Sequence, residues 1–556
     1  MRRAPFLALV FILAMAAAAC GSDGPAGVVE HVEYVSTTST TLAPTTTTLA
    51  PATTTLAPTT TTLAPTTTTP APTTTTPAPT TTTPAPTTTT PAPTTTTDEV
   101  VGARALKWRT CGDGIECATL EVPMVHDDPS QGTIRIALNR FAAAPEGRIG
   151  VLLVNPGGPG GSGVDLVEDM GWLLDMVVPG FDLIGFDPRG VGGSSRVSCM
   201  EDLDDQVFVL EDGEDPTALF ELAEVVSAAC LEGSGDLALH VGTNNVARDM
   251  DLIRQALGEE QISFLGYSYG SRIGAVYAAL FPDRVRAMVL DGPVDPAEQI
   301  SSASPVQGQG FEDAWSNFAD WCDVDASCGL EAHGGAEVAF FAADALLAEG
   351  DLPAGDRVLT RGEFQMGVAM ALYSSYTWEQ LGQAFTEVLE AGERWIFQSL
   401  TDMMMGRRDD GTYDGSQDVN YLVNCADDPL RPSQESFFAA LDAVADTFEH
   451  FGPAFRAMGG CGALPESVDP LHVAPADLAV PVLVIALEGD PATPMAWARG
   501  LTDSIGDAVL ITSDSEGHTA FLSNSECVTD VVISYLVDLV APEDGWSCVE
   551  GEYLSG

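Results

Sequence analysis

Basic residues are scarce in this 556-residue chain: 23 lysines and arginines stand against 80 aspartates and glutamates, a formal net charge of −57. Phosphates are repelled by such a balance, which argues against nucleic acid as a partner. An acid excess of this size suits a protein working in salt, where the charges are screened. Also missing is any set of CxxC pairs joined to histidine spacing, the pattern that would favour zinc. The apolar run from Phe6 to Ala19 is too short to span a bilayer comfortably. Between Ser36 and Thr97 there is no aromatic residue and almost nothing that could build a core.

What is present begins with Met1, Arg2 and Arg3 ahead of that apolar run, the pattern of an export signal, so the rest of the chain is expected outside the cytoplasm. Cys20 follows a run of alanines as in a bacterial lipobox, where the cysteine receives diacylglycerol and becomes the mature N-terminus. Ala17 stands where lipoproteins usually carry leucine, and ordinary cleavage with release into the medium is the other expectation. Residues 1–20 are thus read as a signal peptide and 21–99 as a disordered Thr/Pro/Ala-rich linker, extended in a polyproline-like manner and open to glycosylation on its threonines. The remaining stretch can bury a substantial core and is expected as one catalytic domain with a large insertion.

Of eleven cysteines, setting Cys20 aside leaves an even number in the exported part, which favours disulfides. Close neighbours invite the pairs Cys111–Cys117 and Cys322–Cys328; Cys199–Cys230, Cys425–Cys461 and Cys527–Cys548 would complete the set, although spacing alone does not fix the connectivity.

In the catalytic part, IGVLLVNPGGPGGSG and FDLIGFDPRGVGGSS each run from an apolar strand into a glycine-rich turn. QISFLGYSYG leads into SRIGAVYAALFP, whose apolar spacing suits a helix ending at Pro282, and VRAMVLDGPVDP is a further strand. Repetition of strand, tight turn and helix predicts an α/β fold with a mostly parallel central sheet and helices on both faces, its functional loops at the carboxyl ends of the strands. From 299 to 415 the pattern is helical, with no convincing strand, and reads as an inserted cap. The core therefore occupies 100–298 and resumes over 416–556, where LAVPVLVIALEGDPATP and AVLITSDSEGHTAF are strands and CVTDVVISYLVDLV a closing helix.

Ser268 lies in G-x-S-x-G between a strand and a helix. Gly266 and Gly270 permit a sharp turn that lifts the hydroxyl clear of the sheet at a helix N-terminus, so Ser268 is the candidate nucleophile; a glycine-rich packing turn is the plain alternative. Its base should be His518, in the loop just past the last good strand, whereas His126, His240, His333, His450 and His472 read as surface or packing residues and His31 precedes the Thr/Pro/Ala repeat that begins at Ser36. Asp490, directly after VPVLVIALEG, is the preferred acid, with Glu488 and Asp291 as competitors. Oxyanion donors are expected at the amides of Tyr269 and Gly158. The glycine-rich NPGGPGGSG lacks the Lys and Ser/Thr pair of a phosphate loop and does not match the dinucleotide pattern. No metal or organic cofactor is called for, and an aspartate nucleophile of the epoxide- or haloalkane-hydrolase kind is disfavoured by Ser268 itself.

With CATLEVPMVHDDP, NPGGPGGSG, DPRGVGGSS, GYSYGSRIGAVYAALFPDRVRAMVLDG, NCADDP, GDPATP, GHT and CVTDVVISYL in this order, the chain from Leu106 to Cys548 resembles the secreted tripeptidyl aminopeptidases, α/β-hydrolases related to proline iminopeptidases. The resemblance implies Ser268, Asp490 and His518 as triad, Gly158 in the oxyanion segment, and a TAP-like C-terminal domain supplying the last two triad members. Asp187 and Arg189 match the family's DxRG turn, as support near the site or as simple loop stabilisation. It further implies a serine exopeptidase releasing short peptides, most naturally tripeptides, from free N-termini, the substrate ammonium being met by acidic residues of the cap. Where relatives often carry Thr-Tyr-Leu-Gly, this chain has Ser271, Arg272, Ile273 and Gly274, and Arg272 could alter the pocket floor or point into the helix surround. A carboxylic-ester hydrolase with the same triad and a non-catalytic surface binding protein on a stalk are the competing readings.

Overall fold

Runs such as GVLLVN, FDLIGF and ISFLGY have no polar face, and a strand of that kind is stable only when both sides are covered. The computed structural model, which describes residues 106–553 except 201–202, 204–216, 299–304, 356, 391–393, 446, 453, 455–459 and 462–463, gives them that environment. The leader with Cys20 and the Thr/Pro/Ala-rich segment lie outside the described residues. The strands are β1 (Arg109–Gly112), β2 (Ile115–Pro123), β3 (Thr133–Phe141), β4 (Gly150–Asn155), β5 (Phe181–Phe186), β6 (Ile262–Tyr267), β7 (Val285–Asp291), β8 (Leu352–Ala354), β9 (Arg357–Leu359), β10 (Val482–Gly489), β11 (Ala508–Glu516) and β12 (Ser547–Cys548). Ten of them form one sheet in the order β1-β2-β3-β5-β4-β6-β7-β10-β11-β12. From β5 across to β12 neighbours run parallel; β1, β2 and β3 add an antiparallel edge.

Helices cover both faces. On one side, α1 (Gly163–Val177), begun by the Ser162 side chain accepting the Asp165 N–H, packs Val167 and Leu174 against Leu152, Leu183 and Leu265. The closing helix Glu526–Asp538 adds Val528, Val532 and Tyr535 to the same layer. On the other side lie α2 (Thr217–Ser234), α3 (Thr243–Leu257) and α4 (Tyr269–Leu280), where Met250, Ile253, Ile273 and Val276 meet Leu153, Phe264 and Met288. Alternate residues of one strand thus serve opposite cores, as the period of two requires. Each strand is consequently fixed in register from both sides.

Between β7 and β10 the chain leaves the sheet for α5 (Pro305–Val324), α6 (Ala336–Ala348), α7 (Arg361–Ala371), α8 (Trp378–Leu389) and α9 (Trp395–Met405). These build a second, aromatic core around Trp315, Phe318, Phe340, Phe364, Phe385 and Phe397. Contrary to the strandless reading of this region, β8 and β9 pair as a short antiparallel hairpin within it. The segment Leu352–Leu359 is too short and turn-like to carry a period that sequence alone would reveal. After α10 (Ser416–Asp427), whose Val419, Leu422 and Val423 join the sheet core, the chain returns to the cap at Phe448 and Phe451. His450, expected at the surface or in plain packing, is buried there with Nδ1 2.7 Å from Glu312 and Nε2 3.1 Å from Glu337. Both carboxylates belong to cap helices, so an ion-paired histidine locks this return to the cap.

The ten cysteines beyond Cys20 form the pairs Cys111–Cys117, Cys199–Cys230, Cys322–Cys328, Cys425–Cys461 and Cys527–Cys548. No helix among the described residues is long and apolar enough to cross a membrane.

Candidate active site

Strand β6 ends at Tyr267 and α4 begins at Tyr269, leaving one residue to reverse the chain. Ser268 takes φ 52° and ψ −124°, a backbone state that costs a non-glycine residue about 1–3 kcal/mol and persists only where its surroundings impose it. They do so here: the Ser268 N–H donates to the Asp291 carbonyl at 2.8 Å, and the Ser268 carbonyl accepts from Ser271 N–H and Oγ. Strand and helix pass so closely that a Cβ on Gly266 would lie 2.4 Å from the Gly270 carbonyl oxygen. Gly270 is held by a contact of its own, since a Cβ there would lie 2.9 Å from the Asn155 carbonyl oxygen.

Asp490 follows β10 and His518 follows β11, neighbouring parallel strands. The imidazole Nδ1 lies 3.0 and 2.9 Å from the two Asp490 oxygens, and the carboxylate is fixed from behind by the N–H groups of Ala492 and Thr493 and by Thr493 Oγ1 at 2.8 Å. Nothing in the sequence marks Thr493 for this task beyond its place in the GDPATP turn. The competitors are assigned elsewhere. Asp291 accepts the N–H groups of Ala520 and Phe521, which holds the backbone just past the histidine, and Glu488 points to solvent. Across the site, the imidazole Cε1 comes within 2.9 Å of where a Gly292 Cβ would stand, one residue beyond the Asp291 whose carbonyl holds Ser268. Ser268, Asp490 and His518 thus stand just past the carboxyl ends of β6, β10 and β11, with Asp490 and His518 in direct contact.

Burial disfavours a charged imidazole at position 518, but the Asp490 charge, its hydrogen bond and the more distant Asp291 outweigh it and hold the His518 pKa above the ordinary 6.5. Asp291 shows the opposite balance: burial pushes it up to about 6 in spite of its backbone donors. An imidazole with a raised pKa and a carboxylate on its far nitrogen is equipped to receive a proton at Nε2.

The loop after β4 closes the third side. Gly157 presses on the elbow, since a Cβ there would meet Tyr267 O at 2.5 Å and Ser268 Cβ at 2.8 Å. Its own N–H is taken by Asn155 Oδ1 at 3.0 Å, which leaves the next amide, Gly158, together with that of Tyr269 at the first position of α4, as donors without a partner among the described residues. The Tyr269 side chain turns inward: its hydroxyl donates to Thr243 Oγ1 at 2.6 Å, and Thr243 in turn donates to Asp427 of NCADDP. A cavity of about 440 Å³ opens between α5 and the β10 end, lined by Gln309, Asp313, Glu488, Asp490, Pro494 and Met495 among others.

Asp187 and Arg189 have structural partners. Asp187 accepts from Ser162 Oγ, Val164 N–H and Gly193 N–H, and so ties the start of α1 to the turn after β5. Arg189 is fully buried, with both nitrogens of one edge at 2.8 Å from Asp249, further bonds to the carbonyls of Pro123, Met124 and His240, and His126 Nε2 at 3.1 Å. Their bonds brace these loops, and none of the partners is Ser268, Asp490 or His518. Arg272 is likewise buried and donates to the carbonyls of Asp295 and Glu298, so it points into the helix surround and holds the chain on its way to the cap.

A sheet of this strand order with a strained serine elbow at the end of β6 is that of an α/β-hydrolase. Residues 150–340 match the alpha/beta hydrolase fold family, and residues 448–548 match the family described as TAP-like protein. The serine protease Hip1 of Mycobacterium tuberculosis is 34% identical over 78% of this chain and 87% of its own. Carboxylesterase B of the same organism is 33% identical over 79% and 89%, and the tripeptidyl aminopeptidase of Streptomyces lividans 29% identical over 79% and 86%. The chain belongs to the TAP-like α/β-hydrolase family and is an enzyme of the serine-hydrolase type. A stalk-borne protein with a purely binding role is thereby set aside.

Proposed function

We propose that this chain is a serine exopeptidase that releases short peptides, most naturally tripeptides, from free N-termini of peptides outside the cytoplasm. The observation that carries the reading is the Asp490–His518 pair at 2.9 Å past the ends of β10 and β11, with a serine in a strained elbow at the end of β6 in the same sheet. In this mechanism Ser268 Oγ attacks the scissile carbonyl while His518 Nε2 takes its proton; the carbonyl oxygen, now negative, is held by the amides of Tyr269 and Gly158. The imidazolium, stabilised by Asp490, protonates the leaving amine, the C–N bond breaks and an acyl-enzyme remains. Water then attacks the ester with His518 as base, and the Ser268 proton is restored.

Free N-termini carry an ammonium group, and Asp313 and Glu488 beside the cavity supply the opposite sign. The tripeptidyl aminopeptidase relative supports peptide release, and five disulfides support an oxidising compartment, with the protein held by a lipidated Cys20 or set free. The carboxylesterase relative favours a second reading, ester hydrolysis with the same residues. Peptide profiling separates the two: wild-type protein should release N-terminal tripeptides from unblocked but not N-acetylated peptides, and Ser268→Ala should lose both this activity and labelling by a serine-directed phosphonate. Turnover of simple esters with every peptide left intact would overturn the exopeptidase reading.

A further inference from the structure

We infer that Tyr373 and Ser374 of the cap are positioning residues for the base, holding the His518 loop in register with Ser268. The inference rests on the reading of Ser268 as nucleophile and His518 as base.

Beyond Glu516 the chain has left β11, and the last main-chain bond to the central sheet is the Gly517 N–H donating to the carbonyl of Gly489 at the end of β10, a long 3.3 Å. The core grips the loop from one side, through Asp490 and Thr493 Oγ1 at the imidazole Nδ1, the Gly489 carbonyl at Gly517, and Asp291 at the amides of Ala520 and Phe521. The other side is supplied by the cap. Ser374 and Gly517 pair as an isolated antiparallel bridge, and the His518 N–H donates to the Tyr373 carbonyl at 2.7 Å. The approach is so close that a Cβ on Gly517, itself at φ 104°, would stand 2.7 Å from that carbonyl oxygen and 3.0 Å from Ser374 Cα.

Side chains repeat the grip. Ser374 Oγ donates to Asn524 Oδ1 at 3.2 Å, which orients the amide so that Nδ2 donates to the carbonyls of His518 and Thr519, each at 3.0 Å. The Tyr373 ring meets the imidazole edge to face, centroids 5.2 Å apart at 80°, and the same ring rests against Phe311 of the cap core. Backbone, amide and ring contacts therefore run from one cap turn to both the main chain and the side chain of the base. A carboxylate at Nδ1 fixes one atom of an imidazole and leaves it free to rock about that bond; the cap removes this freedom. Displacement of a reacting group by about 1 Å costs roughly a hundredfold in rate, so the contact has catalytic weight.

The test uses the full chain with two probes, a p-nitrophenyl ester and an unblocked tripeptide anilide, and counts competent sites by phosphonate titration. Tyr373→Leu, which removes the ring, should lower kcat by about ten- to a hundredfold on both probes with KM nearly unchanged, and Tyr373→Phe, which keeps it, should restore the wild-type rate to within about twofold. Ser374→Ala and Asn524→Ala should each lower kcat by about tenfold, and the double variant should fall no further than the worse single, because one chain of bonds is cut twice. Ser374→Ala removes a single hydroxyl, and a thermal melt establishes that it stays folded. Wild-type kcat in Tyr373→Leu and Ser374→Ala, or losses confined to KM, would overturn the positioning role while Ser268→Ala stays inactive. Turnover surviving in Ser268→Ala would overturn the nucleophile reading first, and this inference with it.

Discussion

The carboxylate of Asp490 lies 2.9 Å from Nδ1 of His518, with the carboxylate wholly buried and the imidazole 9% exposed. Asp291, at the end of the adjoining strand, is equally buried yet bonds only backbone N–H groups past the histidine. Two acids of similar position thus have different duties. Asp490→Asn should reduce kcat by about a thousandfold or more with little change in thermal midpoint, since an amide no longer favours the Nδ1–H tautomer or stabilises imidazolium. Asp291→Ala should instead lose about 1–3 kcal/mol of stability by orphaning buried donors. Denaturation midpoints and kcat measured on both variants check the division.

Ser268 occupies a strained backbone state in which glycine would be at ease. Ser268→Gly should therefore abolish phosphonate labelling and raise stability: relief of about 1–3 kcal/mol exceeds the roughly 0.5–1 kcal/mol that glycine costs through the unfolded chain. A urea midpoint below that of wild type would sink the claim of strain.

Activity and stability should respond to pH in opposite directions at His518. The folded pKa lies above the ordinary 6.5, because Asp490 and its hydrogen bond prevail over burial. A base must be neutral, so kcat/KM should rise with pH through that elevated value, and Asp490→Asn should move this acidic limb downward. The stabilising contribution of the same residue is fully present below 6.5 and is lost as pH rises through the folded pKa. Parallel pH profiles of kcat/KM and of urea midpoints test the pairing.

His450 clasps the segment after α10 to the cap between two unequal partners, for the Glu312 side chain is 14% exposed and that of Glu337 53%. Glu312→Gln should cost about 2 kcal/mol, less than a fully buried pair because some solvent reaches it, whereas Glu337→Gln should cost under about 1 kcal/mol. Burial opposes the charge on His450, but bonds to Glu312 and Glu337 raise its pKa above 6.5; burial raises Glu312, but its bonds to His450 and Phe451 bring it below the ordinary 4.5. The clasp should hold best between those two folded values, weakening as pH falls through the lower or rises through the upper. Equal midpoints for the two glutamine variants would contradict this reading.

Much of the fold was legible because it is written locally. Unbroken apolar runs ending in glycine marked the parallel strands, and G-x-S-x-G marked the elbow, where each residue interacts with its near neighbours. The antiparallel edge β1–β3 and the hairpin in the cap carry weaker local signals that the sequence alone does not resolve into strands. Arg272 could not be placed from the sequence, since a guanidinium pointing inward toward Asp295 and Glu298 looks the same on paper as one pointing into a pocket.

By itself the sequence determined the class of protein, the order of its parts and the short set of side chains able to do acyl-transfer chemistry, because periodicity, glycine spacing and chain order are one-dimensional properties. Only the tertiary structure decided which acid meets the imidazole, that Thr493 steadies this acid, and that a turn of the cap grips the loop bearing His518. Those relations join residues far apart in the chain across packed surfaces, and a contact of that kind is set by the register of strands and the docking of helices rather than by any neighbouring residue.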